Sequence, residues 1–215
     1  MTSASPRLLV IACGALAREL LAVIRASGWS QVTVQCLPAE LHNRPHKITG
    51  AVQEKIRAAR DRGFDGRIFV AYGDCGTGGD LDRMLAVEGV ERIEGPHCYQ
   101  FFAGAGLFDR LNDQEPGTFY LTDFLLRHFE RLVIRGLGID RFPELKLQYF
   151  GNYRRLVYLS QQPGPDSIAA ARAAAERLGL AFEVHHTDLH GLRRALAPAQ
   201  AQPHGIREER IAWAS

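Results

Sequence analysis

Short, wholly apolar runs alternate along this chain with stretches in which apolar residues recur every three or four positions. Residues 8–12 are apolar throughout and are followed by Gly14. That is the pattern of a strand buried on both faces. Residues 15–26 carry Leu16, Leu20, Leu21, Val23 and Ile24 at helical spacing, with Gly28 placed to end the helix. A second strand is expected over 32–37, closed by Pro38, and a second helix over 49–62. A third strand over 67–72, a short helix over 79–87 and a fourth strand over 90–93 follow. Alternation of this kind predicts a mostly parallel sheet with flanking helices, a Rossmann-like three-layer α/β arrangement with right-handed crossovers.

Beyond that point the pattern loosens. Residues 99–108 read as a helix entering the core, 117–121 as a short strand, and Thr122 with Asp123 as the cap of a helix reaching Leu137. The charged and aromatic segment 140–150 has no clear period. Strand 153–160, an alanine-rich helix opened by Pro165 and ended by Gly179, and strand 181–186 then restore the βαβ rhythm. The expectation is one α/β domain over 7–196. Two similar lobes, 7–110 and 145–196, are expected within it, either in one continuous sheet or as two small sheets facing a cleft. Residues 197–215, rich in Ala, Pro and Gln, read as a mobile tail.

Composition narrows the function classes. The 215 residues are 46% hydrophobic and 23% charged, with a net charge of +2. No strong field selects nucleic acid or an anionic membrane. No apolar run approaches the ~20 residues that span a bilayer, and the first residues are too polar for a signal peptide. Four cysteines in a chain of this length argue against a disulfide framework. A cytoplasmic address, a small-molecule or protein partner and room for a homo-oligomer are the resulting expectations.

The candidate chemistry lies at strand ends. Cys13, Cys75 and Cys98 each follow an expected strand and sit beside Gly or in a Gly/Pro turn. In a parallel sheet those ends share the edge where open α/β proteins bind ligands. Thiolates with an imidazole are the usual ligand set for zinc, and thiolates alone hold iron–sulfur clusters. Cys13, Cys75, Cys98 and His97 are therefore the candidate metal ligands. His42, in the loop after the second strand, and Asp74 are acid–base candidates, with Tyr120 as a hydroxyl within reach. Gly14, Gly73, Gly76 and Gly78 are candidate backbone contacts to a bound group.

Each of these has a plain structural alternative. Free cysteines are often small core hydrophobes, and Cys36, inside a strand, is expected to be one. Asp74 suits a turn residue bonding its own backbone. The glycine-rich turn 73–79 resembles a phosphate cradle only loosely, since it fits neither dinucleotide-binding nor Walker patterns. Tyr99, Phe101, Phe102, Phe119 and Tyr120 suit a core. His46, His185, His186 and His190 are weaker candidates.

The ordered motifs Cys13–Gly14, Leu41–His42–Asn43 with Pro45, Tyr72–Gly73 with Cys75–Gly76 and Gly78, His97 with Cys98, and Pro116–Gly117–Thr118 with Tyr120–Leu121–Thr122 are specific in combination. On them the chain resembles an uncharacterised bacterial and archaeal family, domain-of-unknown-function family 1638. The adjacency of His97 and Cys98 departs from the family's pattern, where a spacer separates them. The resemblance implies a single α/β domain with a cysteine-based site. It also implies proximity to corrinoid-dependent methyltransferase systems, and so one-carbon metabolism. Three functions stand open at this level. One is a zinc or iron–sulfur protein acting in methyl or one-carbon transfer. A second is an accessory or delivery protein for a corrinoid or metal enzyme. The third is a metal-free hydrolase or transferase with Cys75 as nucleophile.

Overall fold

The computed structural model describes residues 7–200. Strand β1 (Leu8–Cys13) is buried at every position. Its apolar run is explained by its place in the sheet, between β2 (Val32–Leu37) and β3 (Arg67–Ala71), with β4 (Glu91–Arg92) outside β3. All pairings are parallel. Because β2 and β3 lie on opposite sides of β1, right-handed crossovers put the two connecting helices on opposite faces. These are α1 (Ala17–Ala26) and α2 (Ile48–Asp61). Helix α3 (Asp80–Glu88) packs against α2, on the second of those faces. The chain therefore leaves the ends of β1 and β3 in opposite directions and opens a crevice between them.

Cys36 is exposed, contrary to the core position expected of it. The reason is topological: β2 is an edge strand, and only Leu37 within it is fully buried.

A second, separate sheet follows, with order β5 (Thr118–Thr122), β6 (Arg155–Ser160) and β7 (Ala181–His186), again parallel. The two sheets are therefore distinct rather than continuous. Period-two alternation divides the faces of β6. Leu156 and Tyr158 join a core with Leu125, Ala171 and Leu178, while Val157 and Leu159 join the first-sheet core with Phe101, Phe102 and Phe108. Helices α6 (Asp123–Arg127) and α8 (Pro165–Leu178) cover the former face. Helices α4 (Cys98–Ala103) and α5 (Ala105–Gln114), broken at Gly104, lie toward the latter.

The second lobe is larger than the expected 145–196, since it opens with β5 at 118. It is also shorter at its other end. Helix α9 (His190–Gln200) turns back, packing on α1 and α4 and burying Leu192 and Leu196 in the first core. The expected tail from 197 thus begins inside a helix, and residues 201–215 lie outside the described residues.

The helix expected from 123 to 137 is interrupted. After α6 the chain forms a π-helical turn, Glu130–Ile134, marked by bonds from Arg135 N to Glu130 O and from Ile139 N to Ile134 O. Such wide turns free a carbonyl from the regular ladder. Here Leu132 O accepts from Asn43 Nδ2 at 2.9 Å, which ties the loop after β2 to the second lobe. The segment without a clear period resolves into turns and α7 (Leu145–Phe150).

Candidate thiol site at the carboxyl edge

The site is assembled by two loops. The backbone amide of Asp74 donates to Gly95 O (3.0 Å) and that of Cys75 to Pro96 O (2.8 Å). Gly73 makes this possible, because a Cβ there would meet His97 N at 3.0 Å and Gly95 O at 3.1 Å. The two loops close together, and Cys75 Sγ comes to 3.3 Å from Cys98 Sγ. Cys98 opens α4, and Tyr99 follows it on the same first turn.

Cys75 sits at φ +50°, in the left-handed region that costs a non-glycine residue about 1–3 kcal/mol. Asp74 helps hold that conformation. Its carboxylate accepts from the amides of Gly76 (3.2 Å), Gly78 (3.2 Å) and Gly79 (2.9 Å) and from Thr77 Oγ1 (2.7 Å). Burial pushes the Asp74 pKa up, but these donors outweigh it and hold the carboxyl below its usual range. Asp74 is thus the organiser of the turn, away from the cavity described below. The amides it engages are those a phosphate would need, so the loop is not a free phosphate cradle.

The Cys75 thiol is pulled down to about 5. Its hydrogen bond with Cys98 is the main cause; burial opposes it, and the His97 side chain and the Cys98 backbone assist. Cys98 moves the other way, well above an ordinary thiol, because it holds the proton between the two sulfurs and is itself desolvated. Cys13, desolvated at the end of β1, is pushed up to about 11. The edge therefore carries one thiolate and two thiols at neutral pH. Behind Cys13 the Tyr72 hydroxyl is buried and directed at that thiol, and it has no hydrogen-bond partner of ordinary geometry among the described residues.

These thiols face a cavity of about 280 Å³ between the two sheets. Its polar wall is His42, Asn43, His97, Thr122 and the sulfurs; aromatic walls come from Phe102, Phe119, Phe124 and Phe150. Among the described residues no Lys, Arg, Asp or Glu lines it. Leu137, Tyr149 and Tyr153, from the stretch around α7, form its outer side. His42 stands exposed at the mouth with Nε2 3.2 Å from the Tyr99 hydroxyl. Desolvation by the surrounding walls lowers its imidazole pKa, with the Cys75 thiolate acting in the opposite sense and His97 in the same sense.

Of the residues singled out from sequence, Cys13, Cys75, Cys98, His97 and His42 come together on this cavity. Tyr120 does not. Its hydroxyl donates to Asn112 Oδ1 (2.8 Å), and its ring lies 5.7 Å from that of Tyr99 and backs it. Gly14 has a packing role, since a Cβ would meet Leu37 O at 2.9 Å. Gly76 and Gly78 serve the Asp74 turn. His185 bonds Glu183, His186 bonds the Ser160 carbonyl and His190 pairs with Asp188, all away from the cavity. Tyr99 and Asn43 were not expected as site residues. The one signal for Tyr99 is its place directly after a strand-end cysteine.

A metal site made of Cys13, Cys75, Cys98 and His97 is not preformed. Among the described residues no group of three or more His, Cys, Asp and Glu side chains is gathered closely enough to hold an ion. Two thiolates on one tetrahedral zinc stand about 3.7 Å apart, given Zn–S bonds of about 2.3 Å. The 3.3 Å pair is closer than that and matches a shared proton.

A family model described as "Protein of unknown function (DUF1638)" matches residues 36–196, most of the chain. The chain belongs to this family. The match takes in Cys75, His97 and Cys98, while Cys13 lies before it. No curated protein and no solved structure matches the DUF1638 chain. Among its described residues no helix is long and apolar enough to cross a membrane.

Proposed function

We propose that this DUF1638 protein is a thiol-dependent transferase in which Cys75 attacks an electrophilic atom of a small, neutral, largely apolar substrate. The observation that carries the reading is the Cys75–Cys98 pair, 3.3 Å apart, at the wall of a cavity that no Lys, Arg, Asp or Glu lines among the described residues. The low thiol pKa of Cys75 supports it, because the thiolate is the nucleophile. His97 stands beside the sulfur and His42 at the mouth, and each can take or return a proton at the departing group. An anionic substrate would enter this cavity against the Cys75 thiolate and with no Lys or Arg among the described residues to meet it, which is costly. The test is covalent capture: a neutral haloacetamide should modify Cys75 stoichiometrically in the folded protein, and Cys75→Ser should abolish that adduct. Modification confined to exposed Cys36 would sink the reading.

A second reading keeps zinc or an iron–sulfur cluster on Cys13, Cys75, Cys98 and His97 after a small rotation of the thiols. The buried Tyr72 hydroxyl, directed at Cys13 but without a hydrogen-bond partner of ordinary geometry among the described residues, favours it, since such groups often mark an ion or water. A bound ion would supply Lewis acidity at the same edge. Anaerobic purification with elemental analysis separates the two. Stoichiometric metal lost in Cys75→Ser supports the second reading; metal-free protein with a reactive Cys75 supports the first.

A further inference from the structure

A hydroxyl or amide could stabilise the Cys75 thiolate by the same hydrogen bond, yet the donor held 3.3 Å from it is a second thiol, Cys98. The hold is built in. Two backbone hydrogen bonds join their loops, and the bare Gly73 backbone lets the loops touch. Cys98 also fixes the start of α4, so its sulfur is positioned by a helix rather than a free loop. Both sulfurs line the cavity wall, so a bond formed by a bound molecule at Cys75 lies within reach of Cys98.

We propose that Cys75 and Cys98 are the attacking and resolving thiols of a two-electron reductase for small, neutral organic disulfides. The proposal rests on Cys75 being the nucleophile. In the first step Cys75 Sγ attacks one sulfur of RS–SR. A Cys75–S–SR bond forms, the substrate S–S bond breaks, and RS⁻ leaves and is protonated. In the second step the Cys98 thiol gives up its proton and its sulfur attacks Cys75 Sγ. The Cys75–Cys98 bond forms, the bond to SR breaks, and the second RS⁻ departs with that proton. The substrate disulfide is reduced to two thiols and the protein dithiol is oxidised to a disulfide. A small dithiol restores the reduced pair by the same exchange in reverse. Exclusion of anionic disulfides follows from the cavity, whose walls carry aromatic rings and the attacking sulfur but no Lys or Arg among the described residues.

The test uses 4,4′-dithiodipyridine, a neutral aromatic disulfide, on reduced full-length Cys36→Ser protein, which removes the exposed thiol. The expected result is release of two thiopyridone molecules per reacting pair, loss of two hydrogens from the intact mass, and a Cys75–Cys98 crosslink in the peptide map. Cys98→Ser in the same background should release one at Cys75 and keep a stable pyridyl adduct there. A negatively charged aromatic disulfide should react about tenfold more slowly or worse. A stable pyridyl adduct on Cys75 of the protein with Cys98 intact would overturn the proposal while leaving Cys75 as the nucleophile. That map decides even if the Cys98 variant fails to fold. No reaction at Cys75 with either this probe or a haloacetamide would instead remove the underlying reading.

Discussion

At the scale of single residues the account turns on how one backbone position sets a chemical one. Gly73 carries no side chain, and so the 73–75 and 95–98 segments touch. Adding one methyl there must push His97 and Gly95 away and part the two sulfurs. Gly73→Ala is expected to cost about 1–3 kcal/mol of stability by overpacking. It should also slow alkylation of Cys75, because the hydrogen bond from Cys98 that stabilises the thiolate is stretched. Urea denaturation and the alkylation rate read the two effects separately. Unchanged reactivity in a destabilised variant would mean that the loop contact does not set the thiolate. The thiols themselves were legible in the sequence, since an apolar run followed by Cys and Gly marks a strand end. The split of one thiolate against two thiols was not. It arises from a contact between residues 23 positions apart and from burial that no spacing reports.

At the scale of elements, strands and their covering helices follow from periodicity, and their departures have physical causes. Cys36 reads as a core thiol by its place between Gln35 and Leu37, yet β2 lies at a sheet edge, and so Cys36 is exposed. Strand order is decided by long-range pairing, which local pattern does not encode. The stretch after Thr122 has helical spacing, and Thr122 does cap it, accepting from Leu125 N at 3.2 Å. The π turn beyond α6 offers its Leu132 carbonyl to a cross-lobe partner, Asn43, that sequence spacing cannot place. Tyr120 reads as a site hydroxyl by its proximity to Thr122, but its ring packs against Phe108 and Tyr99 and its hydroxyl is taken up by Asn112, contacts that no local spacing reports.

At the scale of the whole molecule, two parallel sheets share the shell around one cavity, and α9 returns from the second lobe to complete the first core. Leu192 is fully buried at that return. Leu192→Ala is expected to cost about 2–5 kcal/mol, with thermal unfolding still occurring as one transition because both cores share the affected layer. Two separated transitions would show that the lobes unfold independently. The cavity exists because the loops of the first sheet, tied by Asn43, meet the π turn and the 137–153 stretch of the second. That arrangement leaves Cys75 reactive toward small neutral molecules and disfavours anionic ones. The most direct test of the account is the rate of haloacetamide alkylation at Cys75 as a function of pH, followed by peptide mass. Thiolate fraction rises as pH rises through the thiol pKa, so the rate should climb with a midpoint near 5 and be flat by neutral pH. A midpoint in the ordinary thiol range of about 8.5, or no alkylation of Cys75 in the folded protein, would contradict it.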